Sequence, residues 1–93
     1  MCPYKAGDVI WHIYGMPGGD WLPRLVLSVN GDVITSFDPF LNRDVDDAWR
    51  ENDPVCQKCG DTGHLRRGNI SDDDLSKFEA RAAKVGLTLS FRT

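Results

Sequence analysis

The sequence predicts an α+β domain: a small, strongly twisted antiparallel sheet or half-barrel, one amphipathic helix near the C-terminus, and a closing strand. Three observations carry this reading. Apolar residues alternate with period 2 through most of residues 9–37. A helical apolar stripe with capping signals at both ends occupies residues 72–85. Alternation then returns after Gly86. Ninety-three residues fit one domain with a modest core. Residues 1–93 are therefore read as one unit: a β-rich acidic part over 1–54, a metal-binding loop over 55–70, and helix plus strand over 71–93.

In the first strand Val9, Trp11 and Ile13 alternate with Ile10, His12 and Tyr14, so both faces are rather apolar. Residues 15–20 have loop composition. Residues 21–29 form the second strand, with Leu25, Leu27 and Val29 on one face. Pro23 has no N–H to donate and belongs near that strand's start or on an edge. Asn30-Gly31 is the strongest hairpin signal, because a type I′ turn needs positive φ at both central positions. The chain returns over residues 32–37, with Val33, Thr35 and Phe37 expected on one face. Asp38-Pro39 marks a turn, and residues 42–49 are expected to hold a short helix or an irregular crossing. Val55 and Leu65 flank the next loop as short strands of a small hairpin.

Ser71 is the natural N-cap of the helix, with Asp74 as a shortened capping-box acid. Asp72, Asp73 and Asp74 crowd the first turn, where the macrodipole favours negative charge. Leu75, Phe78, Ala82 and Val85 form one apolar stripe, and Asp73 with Lys77 makes an i,i+4 pair. Gly86 suits a left-handed C-terminus, followed by Leu87 where a Schellman motif places an apolar contact. Leu87, Leu89 and Phe91 alternate with Thr88, Ser90 and Arg92, a strand expected to pair with the first-half sheet.

The net charge of −3 is unevenly spread. Residues 1–54 carry four Lys/Arg against nine Asp/Glu, whereas residues 55–93 carry seven against five. Asp38, Asp44, Asp46, Asp47, Glu51 and Asp53 read either as a solvated loop or as a face that docks on a basic partner. An acidic first half argues against extended phosphate contact, which needs clustered Lys/Arg. The first residues lack the apolar run of a signal peptide, and no stretch is long enough to cross a bilayer. A cytoplasmic location with reduced thiols is therefore expected. No nucleophile elbow, Walker loop or dinucleotide fingerprint is present, so no enzymatic activity is expected.

The most specific chemistry lies between Cys56 and His64. Cys56 and Cys59 are separated by two residues, and Gly63-His64 follows. Two thiolates and an imidazole at this spacing can hold one tetrahedral zinc ion. Cys2, the remaining thiol, would complete a closed Cys₃His set; His12, Asp53 and Asp61 are weaker candidates. The plain alternative is a Gly-rich tight turn with two idle thiols. A redox pair is disfavoured because the strand-then-helix setting of thioredoxin-like motifs is missing.

The run resembles a zinc knuckle of the nucleocapsid and RNA-binding type, in which Cys56, Cys59, Gly63 and His64 match the motif. Asn69 stands where that family has its last cysteine. Gln57 and Thr62 stand where it places base-stacking residues, and neither is aromatic. The resemblance thus implies zinc more than RNA. Nucleic-acid binding is kept as the alternative function, through Lys58, Arg66 and Arg67, helped by His64, Lys77, Arg81 and Lys84.

Gly7-Asp8-Val9-Ile10-Trp11, followed by Asp20-Trp21-Leu22-Pro23, is loosely similar to the opening of SH3-like barrels of the PWWP and Tudor group. That resemblance implies Trp11, Trp21 and Phe37 as candidates for an aromatic cage that binds methylated lysine. The alternative is that these aromatics fill the core. The function expected is a non-catalytic protein-binding module, of the accessory or inhibitor kind made by phages and bacteria. Its partner-binding residues would be Trp11, Trp21, Phe37, Trp49, Asp46 and Asp47, with zinc as a structural cofactor.

Overall fold

Four antiparallel strands form a meander: β1 (Val9–Tyr14), β2 (Asp20–Asn30), β3 (Val33–Asp38) and β4 (Arg43–Ala48), in the spatial order β1-β2-β3-β4. Among the described residues, a 3₁₀ turn at Arg67–Asn69 leads into one helix, α1 (Asp72–Val85). The computed structural model describes residues 2–14, 20–48 and 64–92, with the side chains of residues 13, 14, 20 and 21 excepted. The expected α+β class holds.

The β2–β3 hairpin closes one residue later than the Asn-Gly signal predicts. Asn30 pairs with Val33, so the two central residues are Gly31 and Asp32. Gly31 has φ 63°, and Asp32 is not among the residues with positive φ. A single positive φ at the first central position, held by glycine, is the type II′ pattern.

Pro23 sits opposite Trp11 in β2, yet its missing N–H disturbs no rung. Val9 turns its own backbone groups away from β2: its N–H donates to Ser90 O at 2.9 Å, and its O accepts from Leu65 N–H at 2.9 Å. Antiparallel alternation then points the nitrogens of Leu25 and Pro23 toward β3. Pairing with β3 begins only at Leu25↔Phe37, so Pro23 lies in the overhang.

Opposed residues of a sheet share a face. Val9, Leu25 and Phe37 share one, and α1 packs there, with Phe78 meeting the Phe37 ring edge-on at 6.1 Å. Ile10, Arg24, Val26, Ile34, Ser36 and Asp38 are buried on the other. The register slips between Val26 and Ser28, which leaves Leu27 as a bulge and breaks the expected Leu25–Leu27–Val29 alignment. In β3, Val33 is exposed and Ile34 is buried instead.

Residues 43–48 are a strand rather than the helix or irregular crossing expected there. Long-range partners explain the difference. Thr35 Oγ1 donates to Asp46 at 2.6 Å, Arg24 reaches Asp47, and Arg81 of α1 grips Asp44.

The outer edge of β1 is covered by two later segments. Ile10 bridges His64 antiparallel, while Asp8 and Arg66 bridge Ser90 and Arg92 in parallel. Ser90 N–H donates to Gly7 O, and Arg92 N–H to Leu65 O, both at 2.8 Å. The closing strand is thus a pair of bridges rather than a full ladder. Gly7 makes this approach possible: its φ is 98°, and a Cβ there would stand 2.4 Å from Thr88 O.

The caps of α1 match the sequence reading. Ser71 Oγ accepts from Asp74 N–H at 3.2 Å. Leu87 N–H reaches Ala82 O at 2.9 Å and Gly86 N–H reaches Ala83 O, the two bonds of a Schellman motif, with Gly86 at φ 71°. No helix among the described residues is long and apolar enough to cross a membrane.

Candidate metal corner and partner-binding faces

A tight turn at the start of the chain builds the first site. Asp8 N–H donates to Lys5 O at 3.1 Å, closing a four-residue turn with the positive-φ Gly7 at its third position. The Asp8 side chain folds back, so Oδ2 accepts from Lys5 N–H at 2.9 Å. The same oxygen lies 2.8 Å from Nε2 of His64, which the β1 edge holds opposite Ile10. Tyr4 meets the His64 ring edge-on at 5.4 Å. Asp8 is almost wholly buried and His64 mostly so.

An ionised carboxylate only accepts, so Nε2 is the donor in this pair. Metal-ligating histidines are commonly held by a carboxylate in this way. Cys2 is half-buried and packs against the core. It lies two residues from Tyr4, so their Cα atoms are within about 7 Å of one another. Tyr4 is thus in ring contact with one expected ligand, His64, and two positions along the chain from another, Cys2. Cys56 and Cys59 lie outside the described residues, as do Asp53 and Asp61. Among the described residues, no three His, Cys, Asp or Glu side chains gather around one point.

The expected partner-binding aromatics are placed differently. Trp11 is 8 % and Phe37 6 % exposed, so both fill the core and present no open cage wall. The Trp21 side chain and Trp49 lie outside the described residues. Asp46 and Asp47 sit on β4, and each already has an internal role. Asp46 accepts from Thr35, and Asp47 accepts from Arg24. Of the nucleic-acid candidates, Arg66 and Arg67 are exposed, with the Arg67 guanidinium 5.6 Å from the centre of the Phe91 ring. Lys58 lies outside the described residues.

Two features went unread in the sequence. The first is a buried polar cluster. Arg24, 5 % exposed, donates to Asp47, to Ser36 Oγ and to the fully buried Asp38 Oδ2, the last two at 3.4 Å. Asp38 Oδ1 accepts from Phe40 N–H at 2.8 Å and Leu41 N–H at 3.2 Å. The result is a fixed turn that carries Phe40 at 68 % and Leu41 at 44 % exposure. The Asp38-Pro39 pair was the available signal, since aspartate in a turn bonds the backbone two residues on.

The second feature is a cleft between α1 and the β3–β4 end of the sheet, lined by Phe37, Asn42, Lys77, Ala80, Arg81 and Lys84. Arg81 grips Asp44 with two bonds, 2.7 and 3.2 Å long. The hydrogen bonds to Asp44 raise the Arg81 pKa above its ordinary value. Lys77 Nζ donates to Pro39 O at 3.4 Å instead of pairing with Asp73.

Compared with known proteins, the chain matches no family model, no curated protein and no solved structure.

Proposed function

We propose that this domain is a non-catalytic protein-binding module in which a structural zinc ion ties down the segment between sheet and helix. The binding reading is carried by Phe40 and Leu41. A single exposed apolar residue is ordinary on a protein surface. Here two neighbours stand exposed on a turn whose backbone is clamped by a buried aspartate. Such a turn loses little conformational freedom on docking, which favours affinity. Asp38 in turn is held by Arg24, so the turn is braced from the interior.

The zinc reading is supported by the Asp8–His64 bond, the kind of carboxylate contact that commonly holds a metal-ligating histidine. Cys2, Cys56, Cys59 and His64 would hold the ion. When bound, zinc would supply stability by closing the loop.

A photo-crosslinking amino acid at Phe40, in cells that make the protein, tests the binding reading. The expected result is one discrete protein adduct, lost on Leu41→Lys and absent when the crosslinker replaces Asn69. A nuclease-sensitive adduct would point to nucleic acid instead. That alternative would also require affinity that falls steeply with salt and disappears in Arg66→Ala/Arg67→Ala.

A further inference from the structure

The cleft beside α1 has a volume of about 180 Å³. Apolar Phe37 and Ala80 share its lining with Lys77, Arg81 and Lys84, which recur at helical spacing along α1. The chain as a whole is acidic, with net charge −3, so three cations in one cleft form a local reversal of sign. Asp44 neutralises Arg81. Among the described residues, neither Lys77 nor Lys84 has a carboxylate within 4.0 Å. The macrodipole favours Lys84 in the last turn of α1, but it gives no reason for Lys77 in mid-helix.

We propose that this cleft takes an acidic segment of a partner protein. An aliphatic or aromatic side chain of that segment packs over Phe37 and Ala80, and neighbouring carboxylates meet Lys77 and Lys84. The volume decides the size of the occupant. Small-molecule sites usually enclose about 300–1,000 Å³, whereas this cleft suits one anchoring side chain. Charge decides its chemistry. Two lysines that meet no carboxylate among the described residues complement an acidic peptide, while Asp46 on the adjoining β4, which forms no ion pair among them, disfavours a long polyanion such as RNA. Lys77 touches Pro39, so the cleft is continuous with the turn that bears Phe40 and Leu41. The inference therefore rests on the protein-binding reading and specifies the partner's chemistry.

Amide chemical shifts of the full chain, titrated with three acetylated peptides of sequence DELFDE, GSLFSG and KKLFKK, test it. The acidic peptide should saturate shifts at Phe37, Ala80 and Lys84 with affinity at least tenfold above the neutral one, and the basic peptide should leave them unmoved. Lys77→Glu/Lys84→Glu should erase that preference with helical circular dichroism intact. If that pair does not fold, each lysine changed to alanine should reduce the preference separately. Equal binding of acidic and neutral peptides overturns the proposal, as does a ten-nucleotide oligo-dT that shifts the same amides more strongly. A Phe40 crosslink that persists in Lys77→Glu/Lys84→Glu overturns the cleft assignment and leaves the binding module standing. Absence of any Phe40 crosslink in the unaltered protein overturns both.

Discussion

Asp8 Oδ2 and His64 Nε2 stand 2.8 Å apart across 56 positions of chain. The bond ties the turn that begins the sheet to the residue that follows the Cys-x-x-Cys run. Asp8→Ala removes the acceptor for both Lys5 N–H and His64 Nε2–H in a partly buried place. Leaving two such donors unmet should cost about 2–3 kcal/mol. Urea unfolding measures it; a variant as stable as the parent would show that the bond contributes nothing.

The zinc proposal predicts close to one ion per chain in protein purified without chelators, by metal analysis and native mass measurement. Cys56→Ser and His64→Ala should each lose the ion and lower the melting temperature. Asp8→Asn keeps the shape of the side chain but weakens its hold on His64, so zinc affinity should fall roughly 10–100-fold in chelator competition. A metal-free protein whose melting temperature is indifferent to Cys56→Ser would remove zinc from the proposal.

Arg24 and Asp38 are both buried, and Arg24 keeps Asp47 as a second partner while Asp38 meets no other cation among the described residues, so it is removal of Arg24 that strands a charge. Arg24→Met should destabilise by about 3–5 kcal/mol, whereas Arg24→Met combined with Asp38→Leu should cost far less. The double change also releases the backbone of Phe40 and Leu41. Faster hydrogen exchange at those two amides, with stability largely kept, is the expected signature.

Gly7→Ala meets two obstacles: a positive φ of 98° and a carbonyl oxygen 2.4 Å from the new Cβ. The backbone conformation alone costs roughly 1–2 kcal/mol for an L-residue. The clash with Thr88 must also displace the segment that pairs with β1. Hydrogen exchange at Ser90, whose N–H donates to Gly7 O, should therefore accelerate before the rest of the sheet loosens.

The Arg81–Asp44 pair is partly exposed and should behave as a surface interaction. Asp44→Asn is expected to cost less than about 1 kcal/mol in dilute buffer, and less still at 1 M salt. The raised Arg81 pKa contributes stability that is fully present below the unfolded-state value and is lost only as strongly alkaline pH passes the folded one. Arg81 should thus add no slope to stability across neutral pH.

Local chemistry was readable where it decides local geometry. Ser71, Gly86 and Leu87 mark the ends of α1 by bonds to their own neighbours. The Asn30-Gly31 signal located the hairpin but not its centre, because one glycine satisfies either of two mirror turns. The strand over residues 43–48 was illegible, since Arg-Asp-Val-Asp-Asp-Ala has little intrinsic β preference. Its form comes from Thr35, Arg24 and Arg81, which reach it from elsewhere. That Trp11 and Phe37 fill the core, the other reading of these aromatics, was undecided in the sequence for a related reason. Trp11 and Phe37 alternate as strand residues should, but alternation does not say which face is covered, and both faces of this sheet bury side chains.

The outer edge of β1 has a consequence for how the protein is made. Val9 finds its partners only in Leu65 and Ser90, and Leu65 finds one in Arg92. Residues 7–10 leave the ribosome before Leu65 and Ser90, which lie 56 and 81 positions beyond Val9, and must wait for them with one edge bare. Non-local pairing of this kind slows folding and leaves strand edges available to neighbours. A nascent chain stalled short of residue 88 should remain protease-sensitive at β1, however well its β2–β3 hairpin has formed.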